Sequence, residues 1–168
     1  MIYNMKNFIP TIILRHRREN LKKCSLRGLE HREDLLFFTY PIATLPKLSN
    51  YVLLSMNGPS LTIKDRDKGV FLIDGTWRYA TKMEANCSLP ETIERRSLPG
   101  NLLTAYPRRQ EDCSDPTRGL ASVEALFAAY VILKRNPEGL LDHYYWKADF
   151  LKLNPSQQFP LENFRIDK

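Results

Sequence analysis

The chain has little cysteine. Its 168 residues include three, Cys24, Cys87 and Cys113. An odd number with no C-x-x-C spacing argues against both a disulfide framework and a structural zinc site, so free thiols are expected. Histidine is equally sparse: His16, His31 and His143 form no H-x-x-x-H pair that would set two imidazoles on one helix face, and spacing makes no case for a metal. No apolar run approaches the roughly 20 residues that span a bilayer. No G-x-G-x-x-G or G-x-x-x-x-G-K-[ST] follows an apolar run, so the common dinucleotide and triphosphate cradles are missing. Internal repeats are absent too. The opening M-I-Y-N-M-K-N-F-I-P-T-I-I-L-R-H-R-R carries its positive charge mainly after a short, Pro-broken apolar stretch, the reverse of a signal peptide, and a cytoplasmic address is expected.

What is present is an ordinary globular composition, 43% hydrophobic and 26% charged, in a length that suits one compact domain with a real core. A small N-terminal lobe (1–65) followed by a ligand-binding region (66–168) is the expected organisation, with one compact unit as the alternative. The net charge is +6, and residues 1–36 carry eight basic against four acidic side chains while residues 110–168 carry seven against nine. The basic excess lies in the first two thirds, with R-H-R-R at 15–18, Lys22, Lys23 and Arg27, then Arg95, Arg96, Arg108 and Arg109. Such clusters suit a nucleic acid backbone, whose condensed counterions Lys and Arg release. Arg15, Arg17, Arg18, Lys22 and Lys23 are the expected phosphate contacts; a solvated basic surface explains the same residues without a partner.

Short apolar runs bounded by polar or turn residues predict strands at 10–14, 34–40, 51–56 and 69–74. After Asp74 the period changes. Trp77, Ala80 and Met83 are three apart, which predicts a helix entered through Asp-Gly-Thr and capped by Thr76 or Asp74. Val123, Leu126, Phe127, Tyr130 and Val131 follow i, i+3, i+4, i+7, i+8 and predict a longer helix over 122–136, ended by Pro137. A third is predicted over 138–154. Residues 95–119 read as a long loop, and loops of that length in a compact domain are usually functional.

The architecture is therefore α/β, with Asp74 at the carboxyl end of a candidate central strand, where open α/β sheets bind ligands. An acid in F-L-I-D-G-T-W can cap the following helix, a role worth about 1 kcal/mol, or serve a site. Glu124, set among apolar residues, is expected to be paired with an arginine. Tyr144, Tyr145 and Trp146 read as helix packing.

Taken in order, D-G-T-W after an apolar strand, R-S-L-P, an Ala-Tyr-Pro loop, G-L-A-S-V-E-A-L-F-A-A and L-L-D-H-Y-Y-W-K-A-D-F-L-K-L-N resemble the ribosomal RNA aminocarboxypropyltransferases and their DTW-domain relatives. K-K-C-S-L-R-G-L and L-L-S-M-N-G-P-S-L-T-I-K-D-R fit the same order, and the resemblance spans about residues 10–155. The threonine of Asp-Gly-Thr-Trp sides with the DTW relatives, whereas W-K-A-D-F-L-K-L-N sides with the ribosomal group.

The resemblance implies a SPOUT-like sheet with flanking helices and a C-terminal trefoil knot. It also implies S-adenosylmethionine as donor of a 3-amino-3-carboxypropyl group to a uridine or modified uridine, in ribosomal RNA rather than transfer RNA; a monomer is one expectation for the oligomeric state, which the sequence does not supply. Carried onto this chain, it implies that Trp77 walls off the donor methyl and that Ala80 leaves room beside it. Leu54, Leu98, Leu102 and Leu103 would line an adenine slot, while Ser25 and Ser122 would bond the methionine carboxylate. Asp74 would accept the uridine N3 proton or favour the sulfonium. Methyl transfer, or RNA binding without catalysis, are the alternatives.

Overall fold

The structure, a computed structural model, describes residues 8–41, 44–107 and 119–155. Five strands, β1 (Thr11–His16), β2 (Leu35–Tyr40), β3 (Tyr51–Leu54), β4 (Gly69–Asp74) and β5 (Glu94–Arg96), form one sheet in the order β2-β1-β4-β3-β5. Every pairing is parallel. A parallel sheet needs both faces covered: α1 (Trp77–Asn86) covers one, and α2 (Ser122–Ile132) with the short α3 (Lys147–Leu153) covers the other.

Strand alternation divides the core. Ile12, Leu14 and Phe71 join Met83 of α1 on one face, while Ile13 and Leu72 join Val123, Leu126 and Phe127 of α2 on the other. Each side chain sent to the wrong layer would forfeit its burial, worth about 1.5–3 kcal/mol for a large aliphatic residue. β4, from the second expected segment, lies between β1 and β3 from the first. The expected division at residue 65 therefore does not separate two lobes; the described residues share one sheet.

The four predicted strands and the helix after Asp74 are present. Thr76, not Asp74, caps that helix, accepting the Tyr79 N–H at 3.4 Å. Three expectations need correction. β5 falls inside the expected loop: its sequence, E-R-R, has no strand signature, and pairing with β3 alone makes it extended. The second helix ends at Ile132 because Lys134 turns left-handed (φ 52°), while the N–H groups of Lys134 and Arg135 return to the carbonyls of Val131 and Tyr130. The third is only seven residues long, since Gly139 (φ 77°) and successive tight turns through Leu140, Asp142 and Tyr144 occupy its expected first half.

No helix among the described residues is long and apolar enough to cross a membrane.

Candidate functional site

Parallel register sets Arg15 of β1 directly beside Asp74 of β4. Both lie at the carboxyl ends of inner strands, and alternation points them to the α2 face with Ile13 and Leu72. Arg15 is 9% exposed and Asp74 4%. Two such charges can be buried together only if they are paired and well bonded. Arg15 Nε donates to Asp74 Oδ2 at 3.0 Å, and its Nη1 to Glu30 Oε1 at 3.0 Å. Its guanidinium lies 4.6 Å from the Phe37 ring centroid. The expectation that Arg15 meets RNA phosphate is therefore corrected: its donors face inward, and its interactions with Cys24, Asp74 and Glu30 more than offset the burial that opposes its charge.

Asp74 accepts two further bonds. Cys24 Sγ donates to Oδ2 at 3.3 Å and Ser122 Oγ to Oδ1 at 2.8 Å. Burial, then the Asp74 charge, push the Cys24 thiol up to about 12, so it stays protonated. Ser122 is the first residue of α2, and the N–H of the next residue, Val123, donates to Ser25 Oγ at 3.2 Å. Thus Ser25 fills a capping role from a distant loop, since Ala121 at the cap position has no hydroxyl to offer.

These bonds set proton directions. Ser122 spends its proton on Asp74 and has only lone pairs left for a ligand, whereas Ser25 accepts from Val123 and keeps its proton to donate. A carboxylate suits Ser25; an ammonium suits Ser122 and Asp74. The pattern is complementary to an amino acid in its donors and acceptors, and the α2 dipole would add to the attraction for a carboxylate.

Glu124 organises the opposite wall. Fully buried, it accepts bonds from Thr104 Oγ1 (2.7 Å), the Ala105 N–H (2.9 Å), the Ala121 N–H (2.8 Å) and Tyr144 Oη (2.8 Å). Among the described residues no arginine pairs with it, and four dipoles balance this carboxylate. Asn154 grips the same loop at both backbone groups of Leu103, accepting its N–H at 2.9 Å and donating to its carbonyl at 2.8 Å. The loop after β5 is thereby held against α2 and α3.

The fold has a similar solved structure, the SAM-dependent rRNA:acp-transferase Tsr3 from Vulcanisaeta distributa. The two are 20% identical, with a TM-score of 0.66 over 92% of this chain and 83% of that one. The two chains share a fold. Comparisons with protein-family models and with curated proteins give no match.

Against that fold the sequence-derived residues separate into groups by position. Asp74, Ser122 and Ser25 come together through the bonds above. Leu54, at the end of β3, and Leu98, after β5, are half-buried and pack on the same α2-side core as the buried Leu102; Leu103 points outward, 39% exposed. Trp77 and Ala80 lie half-buried on the first turn of α1. Arg17, Arg18, Lys22, Lys23 and Arg27 are exposed beyond β1. Arg95 and Arg96 are committed to Glu84 and to Asp65 with Glu94, and Arg108 and Arg109 lie outside the described residues.

Sequence reasoning missed Cys24, Glu30 and the true role of Arg15. The available signal was a basic residue closing an apolar strand, R-H after T-I-I-L, where a neighbouring strand ends in an acid. A cavity of about 470 Å³ lies on the α1 face between Leu14, Tyr40, Leu48 and Cys87. None of the residues around Asp74 borders it.

Proposed function

We propose that this protein transfers the 3-amino-3-carboxypropyl group of S-adenosylmethionine to a uridine or modified uridine of ribosomal RNA. The observation that carries the reading is the donor and acceptor pattern at the α2 N-terminus, found in a fold shared with an rRNA acp-transferase. Ser25 and the first turn of α2 would bind the donor's carboxylate, and Ser122 with Asp74 its ammonium. Leu54, Leu98 and Leu102, with Leu103 at the rim, would enclose the adenine, and Trp77 and Ala80 would cover the methyl. SPOUT membership, a trefoil knot, a cytoplasmic address and a monomeric state belong to the same proposal.

When bound, S-adenosylmethionine supplies an electrophilic carbon attached to a sulfonium. A sulfonium activates three carbons alike, so the protein's contribution is to present one of them to the nucleophile and shield the others. Rigid strand ends suit that task better than loops. Arg17, Arg18, Lys22 and Lys23 would hold RNA phosphates beside the donor, a role that gives binding a salt dependence.

The test uses RNA lacking the modification and donor labelled on either the methyl or the carboxyl carbon. Carboxyl label alone in the RNA supports the reading, and methyl label alone makes the protein a methyltransferase. If neither label enters and titrated S-adenosylmethionine leaves tryptophan fluorescence unchanged, RNA binding without catalysis is the better account. Neutralising Arg17, Arg18, Lys22 and Lys23 together should flatten the dependence of RNA affinity on log salt.

A further inference from the structure

Asp74 and Glu30 both bond Arg15, and their states differ from that of a third carboxylate in the turn after β1. Asp74 accepts three hydrogen bonds, from Arg15, Cys24 and Ser122, which fill most of its roughly four lone-pair positions. Glu30 takes Arg15 on one oxygen and the Gly28 N–H, at 2.8 Å, on the other. Glu19 is the third, coupled electrostatically to both Asp74 and Arg15. Among the described residues, no hydrogen bond or ion pair engages its carboxylate.

Local geometry keeps Glu19 in. The chain leaves β1 at His16, one residue past Arg15, the register partner of Asp74, and folds straight back: the Glu19 N–H reaches the His16 carbonyl at 2.9 Å, and the Arg17 N–H the Tyr40 carbonyl at 3.0 Å. His16 itself is fixed, its ring stacked 4.1 Å from that of Tyr79 and its Nδ1 accepting the Arg18 N–H at 3.1 Å. In this turn Arg17, Arg18 and Asn20 are exposed and Glu19 is half-buried. The side chain that solvates most readily as an anion is thus kept partly out of water and given no donor.

We infer that Glu19 is the proton acceptor of the site and that Asp74 is its anchor. The inference rests on the transfer reaction proposed above. A base needs a free lone pair, which Glu19 has and Asp74 largely lacks. Partial burial first, and the Asp74 charge second, also raise its affinity for a proton, with Arg15 opposing. In the transfer step a Glu19 oxygen takes the uridine N3 proton, and the N3 electron pair forms the new N–C bond. The C–S bond breaks with its pair on sulfur, releasing neutral methylthioadenosine. Proton and charge balance, with no further reactant. The exposed Arg17 and Arg18 in the same turn would bring phosphate, and hence the acceptor nucleotide, to the carboxylate.

The experiment compares wild type, Glu19→Gln, Glu19→Asp and Asp74→Asn for single-turnover transfer, donor affinity, RNA affinity and melting temperature. Glu19→Gln is expected to lower the transfer rate about 100-fold or more, with both affinities within about twofold of wild type and the melting temperature unchanged or higher. Glu19→Asp should recover part of the rate. Asp74→Asn should instead lose donor affinity and stability, because Arg15 is left buried with only the more exposed Glu30 as carboxylate partner. Transfer by Glu19→Gln within threefold of wild type overturns the assignment, as does a loss matched by weaker binding or a lower melting temperature. A wild type that transfers nothing overturns the proposed function along with it, which distinguishes the two failures.

Discussion

Glu124→Gln removes one oxygen from a fully buried carboxylate that accepts four hydrogen bonds and leaves its volume unchanged. Each oxygen of Glu124 receives one backbone N–H and one hydroxyl: Ala105 and Tyr144 on Oε1, Ala121 and Thr104 on Oε2. Whichever oxygen becomes an amide nitrogen, its hydroxyl partner can rotate and accept, but its backbone N–H cannot. That orphaned, fully buried donor costs about 1–3 kcal/mol. The two bonds on the remaining oxygen lose their charge assistance, about 1 kcal/mol each. The sum, about 3–5 kcal/mol, is a large share of the 5–15 kcal/mol that stabilises a typical domain. With a urea slope of about 2 kcal/mol/M, the unfolding midpoint should fall by roughly 1.5–2.5 M. Binding should fall with it, since Thr104 and Ala105 tie the loop carrying Leu102 and Leu103 to α2. A variant that unfolds within about 1 kcal/mol of wild type would refute the argument that this carboxylate acts as a buried four-acceptor hub.

Three further outcomes are expected. The Cys24 thiol, pushed up to about 12 by burial and then by Asp74, should resist iodoacetamide at pH 8 in the native protein. Peptide mapping should find it labelled only after unfolding, and sooner in Asp74→Asn. Asp65 is buried, which alone would raise its carboxyl, but bonds from Arg96 and the Thr62 N–H hold it below the usual range. Its contribution is therefore present above the unfolded value of about 3.9 and lost as pH falls through the folded value. The gap in urea midpoint between wild type and Asp65→Asn should close from pH 7 toward pH 2; a gap that widens contradicts the sign. Lys134 sits left-handed where a helix end favours glycine. Lys134→Gly is expected to stabilise by up to about 1 kcal/mol, and a melting temperature that drops by several degrees would show that the lysine side chain has another role.

How much was legible depends on where each signal resides. β1 and β4 are short apolar runs between polar stretches, because inner strands covered on both faces have no water-facing side to alternate with, and β3 and the edge strand β2 are apolar runs as well, although Leu36 and Thr39 of β2 are exposed. That pattern is local and readable. β5 is not, since Glu94, Arg95 and Arg96 are extended only through pairing with β3 and the ion pairs to Asp65 and Glu84. The helix at 122–132 was readable, but its surroundings were not. It is apolar nearly all round because the loop at 102–106 and the segment at 140–150 cover the side away from the sheet. The short α3 has the same explanation in reverse, as the left-handed Gly139 defeats a helical pattern that its neighbours would otherwise support.

The sequence by itself determined the α/β class, the position of Asp74 at a strand end, the helix that follows it and the basic segment at 17–27. Each follows from residues close together in the chain, whose periodicity and caps act over a few ångströms. Only the tertiary structure decided what Asp74 touches. Arg15 lies 59 positions away and Ser122 48 positions away, and their meeting depends on the insertion of β4 between β1 and β3 and on the packing of the α2 N-terminus over the strand ends. The same register turned Arg15 from an expected surface cation into a buried ion-pair partner. The fold also left Glu19 half-buried with no hydrogen bond to its carboxylate among the described residues. Charge alone cannot reveal this, since the energy of an ionisable group is set by the solvent it loses and the dipoles it gains, and both are properties of the folded chain.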